Sequence, residues 1–91
     1  MSHYGGKNDK LLAGEAMRKD YQTEYESLGL NIAYYRKKHG LSQRRLGDML
    51  GISRTHMSRI ETARCSVSLD VVFGICKIFE ISPKELFDFR E

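Results

Sequence analysis

Two glycines four residues apart, Gly47 and Gly51, decide what the middle of this chain can become. Ser42 and Ser53 each carry the short hydroxyl that accepts from the first free N–H groups of a helix. Each therefore starts one, over residues 43–50 and 54–62, and Gly51 ends the first in the left-handed cap that glycine favours. Only residues 51–53 join them. So short a connection makes the two helices cross steeply instead of lying antiparallel. A steep crossing needs a small side chain where the backbones meet, and Gly47 supplies it.

The apolar positions agree with that crossing. Counted from Gln43 as position one, Leu46, Leu50, Ile52, Met57 and Ile60 fall at 4, 8, 10, 15 and 18, with the glycines at 5 and 9. This is the spacing of a helix-turn-helix unit. Seven agreements at fixed offsets, with a cap before each helix, form a specific signal where any single match would be worthless.

The rest of the chain supplies helices around that unit. Residues 30–39 form one, ending in Arg36, Lys37, Lys38 and His39 with Gly40 just beyond, cations at the negative end of the dipole and a left-handed cap. Ser68 caps a helix over 69–79. Ser82-Pro83-Lys84-Glu85 opens a short last helix, with proline at the first helical position and Glu85 closing a capping box. Upstream, Met17, Tyr21, Tyr25, Leu28, Ile32 and Tyr35 keep to one helical face. That pattern fits either one helix over 11–38 or two helices broken near 27–29. The cost of Gly29 in a helix interior, about 1 kcal/mol, favours the break, with Ser27 as N-cap. No segment alternates with period two for long enough to make a strand. The expected fold is all-α: a compact five-helix bundle over residues 28–91, with a tail and helical arm over 1–27.

A chain of 91 residues has room for one modest core and not for two lobes around a catalytic cleft. No Ser/His/Asp or Cys/His arrangement and no phosphate-binding loop is present, and His3, His39 and His56 are scattered. The chain is not expected to be an enzyme. Cys65 and Cys76 lack a second pair at ligand spacing, so they read as small buried apolar residues, with no metal or cofactor. The polar N-terminus and the lack of a long apolar run point to a cytoplasmic protein with no membrane segment.

Charge is unevenly distributed. Residues 36–64 hold eight Lys/Arg against Asp48 and Glu61, a net of +6, between segments of −1 (residues 1–27) and −2 (residues 65–91). A compact basic block is the footprint of a polyanion-binding surface. On a helical wheel of the 54–62 helix, Arg54, Thr55, Ser58 and Arg59 share an arc of about 140°, with Met57 and Ile60 opposite. A helix presented this way enters the major groove with its N-terminal residues on base edges. There Arg takes guanine O6 and N7, and Thr takes a base or a thymine methyl. His56 points sideways, within reach of a phosphate.

Residues 28–87 resemble the Cro/C1-type helix-turn-helix domains of the xenobiotic-response-element family, which includes phage repressors. The resemblance is carried by Gly29, Ile32, Tyr35 and Arg36, by GLSQRRLGDMLGIS from Gly40 to Ser53, by MSRIE from Met57 to Glu61, and by LFD from Leu86 to Asp88. It implies a five-helix lambda-repressor-like bundle and sequence-specific binding of double-stranded DNA, most often as a repressor. Base reading falls on Arg54, Thr55, Ser58 and Arg59, and Gln43 meets the DNA backbone. Arg36 pairs with Glu61 and also reaches phosphate, and Arg44, Lys37 and His56 complete the backbone set. Two positions depart from the family pattern: Gly47 stands where alanine is usual, and Thr62-Ala63-Arg64 replaces a glycine-containing turn.

Such a domain reads half a site, so a homodimer on a palindromic operator is expected. Two surfaces could join the copies: the C-terminal helix with Phe87 and Phe89, or the face of Met17, Tyr21 and Tyr25. Folding of that second face back onto its own domain is the favoured alternative. A different class of function is an antitoxin-like or adaptor protein that works through protein contacts, with the N-terminal arm or the C-terminal helix against a protein partner. Tight, sequence-specific DNA binding by the purified protein separates the two.

Overall fold

The computed structural model describes residues 19–89. Over these residues the chain forms α1 (Gln22–Lys38), α2 (Gln43–Leu50), α3 (Arg54–Glu61), α4 (Leu69–Phe79) and α5 (Pro83–Leu86), with no strand. None of these helices is long and apolar enough to cross a membrane.

Four helices start on serine. Ser42 Oγ accepts from Arg45 N at 2.9 Å, Ser53 Oγ from His56 N at 3.0 Å, and Ser68 Oγ from Val71 N at 3.1 Å. Ser82 and Glu85 close the capping box, Ser82 N donating to Glu85 Oε1 at 2.8 Å. Gly40 and Gly51 sit at φ of +71° and +75°, the left-handed caps after α1 and α2.

Every helix sends a fully buried side chain to one core: Ile32 from α1, Leu46 from α2, Met57 and Ile60 from α3, Ile75 from α4 and Leu86 from α5. Each contributes about 1.5–3 kcal/mol by leaving water. Asn31 Nδ2 donates to Leu86 O at 2.8 Å and to Asp88 O at 3.2 Å, which straps the C-terminal residues across α1. Cys65 is a half-buried and Cys76 a buried free thiol; burial, with the nearby Glu85 charge second, pushes the Cys76 pKa up and keeps it protonated.

The break expected near residues 27–29 is absent. α1 runs unbroken through Ser27 and Gly29, and Ser27 caps nothing. Gly29 is there for packing: a Cβ on it would run into the Glu61 carbonyl oxygen at the end of α3. The interruption lies earlier, at Tyr21 (φ −118°, ψ 31°), a turn between helical Lys19–Asp20 and α1. Met17 lies outside the described residues. α3 ends at Glu61 with Thr62 as C-cap, one residue earlier than the expected end. Ala63 then takes the left-handed conformation at φ 59°, and Arg64 N closes the end on Arg59 O at 2.8 Å. An L-residue bears about 1–2 kcal/mol there.

Candidate nucleic-acid interface

The α2–α3 crossing is as tight as its sequence requires. A Cβ on Gly47 would stand 2.7 Å from the Ile52 carbonyl oxygen, and Ile52 N donates to Gly47 O at 2.9 Å. Gly47 is therefore a packing residue more than a weak point of α2.

α3 is held from within at both ends. Its first turn is capped by Ser53, and Met57 and Ile60 are buried below it. At its last residue, Glu61 receives a bidentate pair from Arg36: Nε to Oε2 at 2.7 Å and Nη2 to Oε1 at 3.0 Å. Arg36 Nη1 also donates to Leu41 O at 2.8 Å, and Gln43 Nε2 donates to Glu61 Oε1 at 3.1 Å. The two charged side chains are 10% and 5% exposed. Among the described residues no buried side-chain polar atom lacks a partner. A buried pair is tolerable when its remaining donors and acceptors are satisfied, as here.

This arrangement corrects one assignment. Arg36 forms the ion pair that the family resemblance implies, but it does not present itself to phosphate. Its guanidinium is buried and three of its donors are bound inside the domain. The link from Gln43 to Glu61 is a contact that the sequence reading missed. The signal was available in principle, because the tight crossing brings the start of α2 near the end of α3.

The outer face of α3 has the opposite character. Arg54, Thr55, His56 and Arg59 are exposed and Ser58 is half-buried. Arg54 and Arg59 have no ion pair among the described residues. Arg44 and Arg45 on α2, and Lys37 and Lys38 at the end of α1, are exposed too; Lys38 Nζ stands 5.8 Å from the Tyr34 ring centroid. Gln43 is half-buried, with its amide fixed by Glu61. A rigid helix thus presents two unpaired guanidinium groups and two hydroxyls, flanked by four cations. That surface can hydrogen-bond planar acceptors on one line and neutralise phosphates on either side.

Elsewhere, the two surfaces considered for dimer contact meet. Tyr21 and Tyr25 of one and Phe87 and Phe89 of the other line a single apolar groove of about 300 Å³. Phe87 is exposed, and its ring stands 5.9 Å from that of Phe89, edge to face.

Comparison with known proteins agrees with this geometry. The helix-turn-helix family model matches residues 32–86. The chain is 33% identical over 60 residues to an HTH-type transcriptional regulator of Methanocaldococcus jannaschii, covering 66% of this chain and 91% of that protein. It is 40% identical over 55 residues to the antitoxin PezA of Streptococcus pneumoniae, which is 60% of this chain but only 35% of PezA. Among solved structures, the restriction-modification controller protein C.AhdI from Aeromonas hydrophila aligns with a TM-score of 0.68 at 27% identity, over 74% of this chain and 97% of the controller.

Proposed function

The chain belongs to the Cro/C1-type helix-turn-helix family of DNA-binding transcription regulators, and from that premise we propose that it is a repressor that occupies a palindromic operator as a homodimer. It acts in the cytoplasm, by occupancy and not by catalysis, and needs no cofactor.

The observation that carries this reading is the outer face of α3, where four polar side chains lie exposed or half-exposed while the opposite face is buried. In the major groove, Arg54 and Thr55 at the helix start meet base edges, and Ser58 and Arg59 follow one turn later. Gln43 and Arg44 at the start of α2 meet the phosphate backbone, joined by Lys37 and His56. Arg36 and Glu61 hold α3 in place without touching DNA. Two copies read half-sites about 34 Å apart, one turn of the duplex.

Selection of bound sequences from a random duplex library tests the proposal. Enrichment of a palindrome with two half-sites is the expected result. Loss of that enrichment on replacing Arg54 and Arg59 together would tie it to the outer face. Binding that shows no sequence preference would refute the reading.

The match to PezA favours a second reading, in which the same domain serves as the DNA-binding part of an antitoxin and a protein partner sits on the surface away from α3. A purified chain that binds its selected site at full strength without any added protein argues against that version.

A further inference from the structure

The apolar groove is lined by none of the residues assigned to the DNA contacts described above. Its lining includes Tyr21 and Tyr25, Leu69 and Val72, and Phe87 and Phe89. Leu69 is 65% exposed, Phe73 on the same side of α4 is 51% exposed, and Tyr21 is 46% exposed. Large apolar groups left open together in a small domain mark a surface that something covers.

We propose that the occupant is the N-terminal segment of the same molecule, with Leu12, Ala13, Ala16 and Met17 seated in the groove. Three observations converge on it. First, the segment is already at the groove: Tyr21 is part of the wall, so Lys19 stands two residues from the rim. Second, the helix axis breaks at Tyr21, whose backbone leaves the helical region just there and whose side chain caps nothing. A turn at that residue redirects the chain and lets it fold back. Third, the apolar pattern of the segment suits the site. Apolar residues at 12, 13, 16 and 17 recur at helical spacing on one face, a stripe that matches an apolar lining.

The docked segment enlarges the core of its own domain and shields Tyr21, Leu69 and Phe89 from water. Its contribution to stability is intramolecular and so does not depend on protein concentration. The inference does not rest on the DNA-binding proposal, because its readouts are melting temperature and mass.

The test compares the full chain with a chain starting at Lys19, which keeps every described helix. The truncated chain should melt about 5–10 °C lower, a shift corresponding to about one buried side chain in a domain of this size. The shift should be the same over a hundredfold range of concentration, with the oligomeric state in sedimentation unchanged. In the full chain, Leu12→Asp with Met17→Asp should reproduce it, which keeps the test decisive if the truncated chain does not fold. Leu69→Asp should lower the melting temperature of the full chain and leave that of the truncated chain within about 1–2 °C. Equal melting temperatures for the full and truncated chains, or for the full chain and its double variant, would overturn the proposal. So would a shift that grows on dilution and comes with a fall in mass, since the groove would then be filled by a second copy.

Discussion

Arg36 and Arg54 are the same side chain in opposite circumstances. Arg36 lies under α3, 9% exposed, with its guanidinium shared between Glu61 and the Leu41 carbonyl. Arg54 lies on the outside of α3, exposed and without an ion pair among the described residues. A charge taken out of water has to be matched atom for atom, and once matched it is committed to the frame. A charge left in water with no partner costs the fold nothing and stays available to a ligand. Both sit in the basic block, and net charge alone does not tell them apart. The difference lies in what surrounds each guanidinium.

The sharpest way to break this contrast is Arg36→Ala. It strands the Glu61 carboxylate in a buried site, and unfolding by denaturant should show a loss of about 3–5 kcal/mol. A loss under 1 kcal/mol would mean that water reaches Glu61 and that the two arginines differ less than their burial suggests. Next comes Gly29→Ala, which forces the α3 end away from α1 by placing a methyl against the Glu61 carbonyl. Overpacking of this kind costs about 1–3 kcal/mol, again read by denaturant midpoint. An unchanged midpoint would show that α1 and α3 separate freely.

The outer face should respond in the reverse sense. Arg54→Ala should weaken binding to the selected site by about 1–3 kcal/mol and relax preference at one base position, while stability stays within about 0.5 kcal/mol of the parent. Full-strength binding by this variant would show that the outer face of α3 is not what reads the bases. The smallest effect is at the boundary. Gln43 donates to buried Glu61 and also faces outward, so Gln43→Ala should cost about 0.5–1.5 kcal/mol of stability and a similar amount of binding. A change in only one of these would assign Gln43 wholly to one side.

Much of the frame was legible because its determinants are local. A serine before each of α2, α3, α4 and α5, and a glycine after α1 and α2, mark helix ends through contacts three or four residues away. Gly47 was readable too, since its neighbour in space, Ile52, is also close in sequence. Gly29 was misread as a break because its reason lies 32 residues on, in the carbonyl of Glu61. Nothing local distinguishes a glycine that ends a helix from one that lets another backbone approach. The true interruption at Tyr21 carries no glycine, proline or serine to announce it. Arg36 was given a phosphate as well as Glu61, because spacing reports which face a side chain is on and not whether its donors are already used. The merging of the Tyr21–Tyr25 surface with Phe87 and Phe89 was also hidden, because it depends on Asn31 fastening the C-terminal residues across α1.

The outer stripe of α3 is anchored to nothing. The side chains of Arg54, Thr55, Ser58 and Arg59 form no hydrogen bond or ion pair within the described residues. Their replacement therefore leaves no cavity and strands no buried partner, whereas the network beneath them tolerates little change. A lineage carrying this domain can rewrite the address it recognises one side chain at a time, at a cost to folding of a few tenths of a kcal/mol per step. Variation between descendants should then collect at these four positions, while Gly29, Arg36, Gly47 and Glu61 stay as they are.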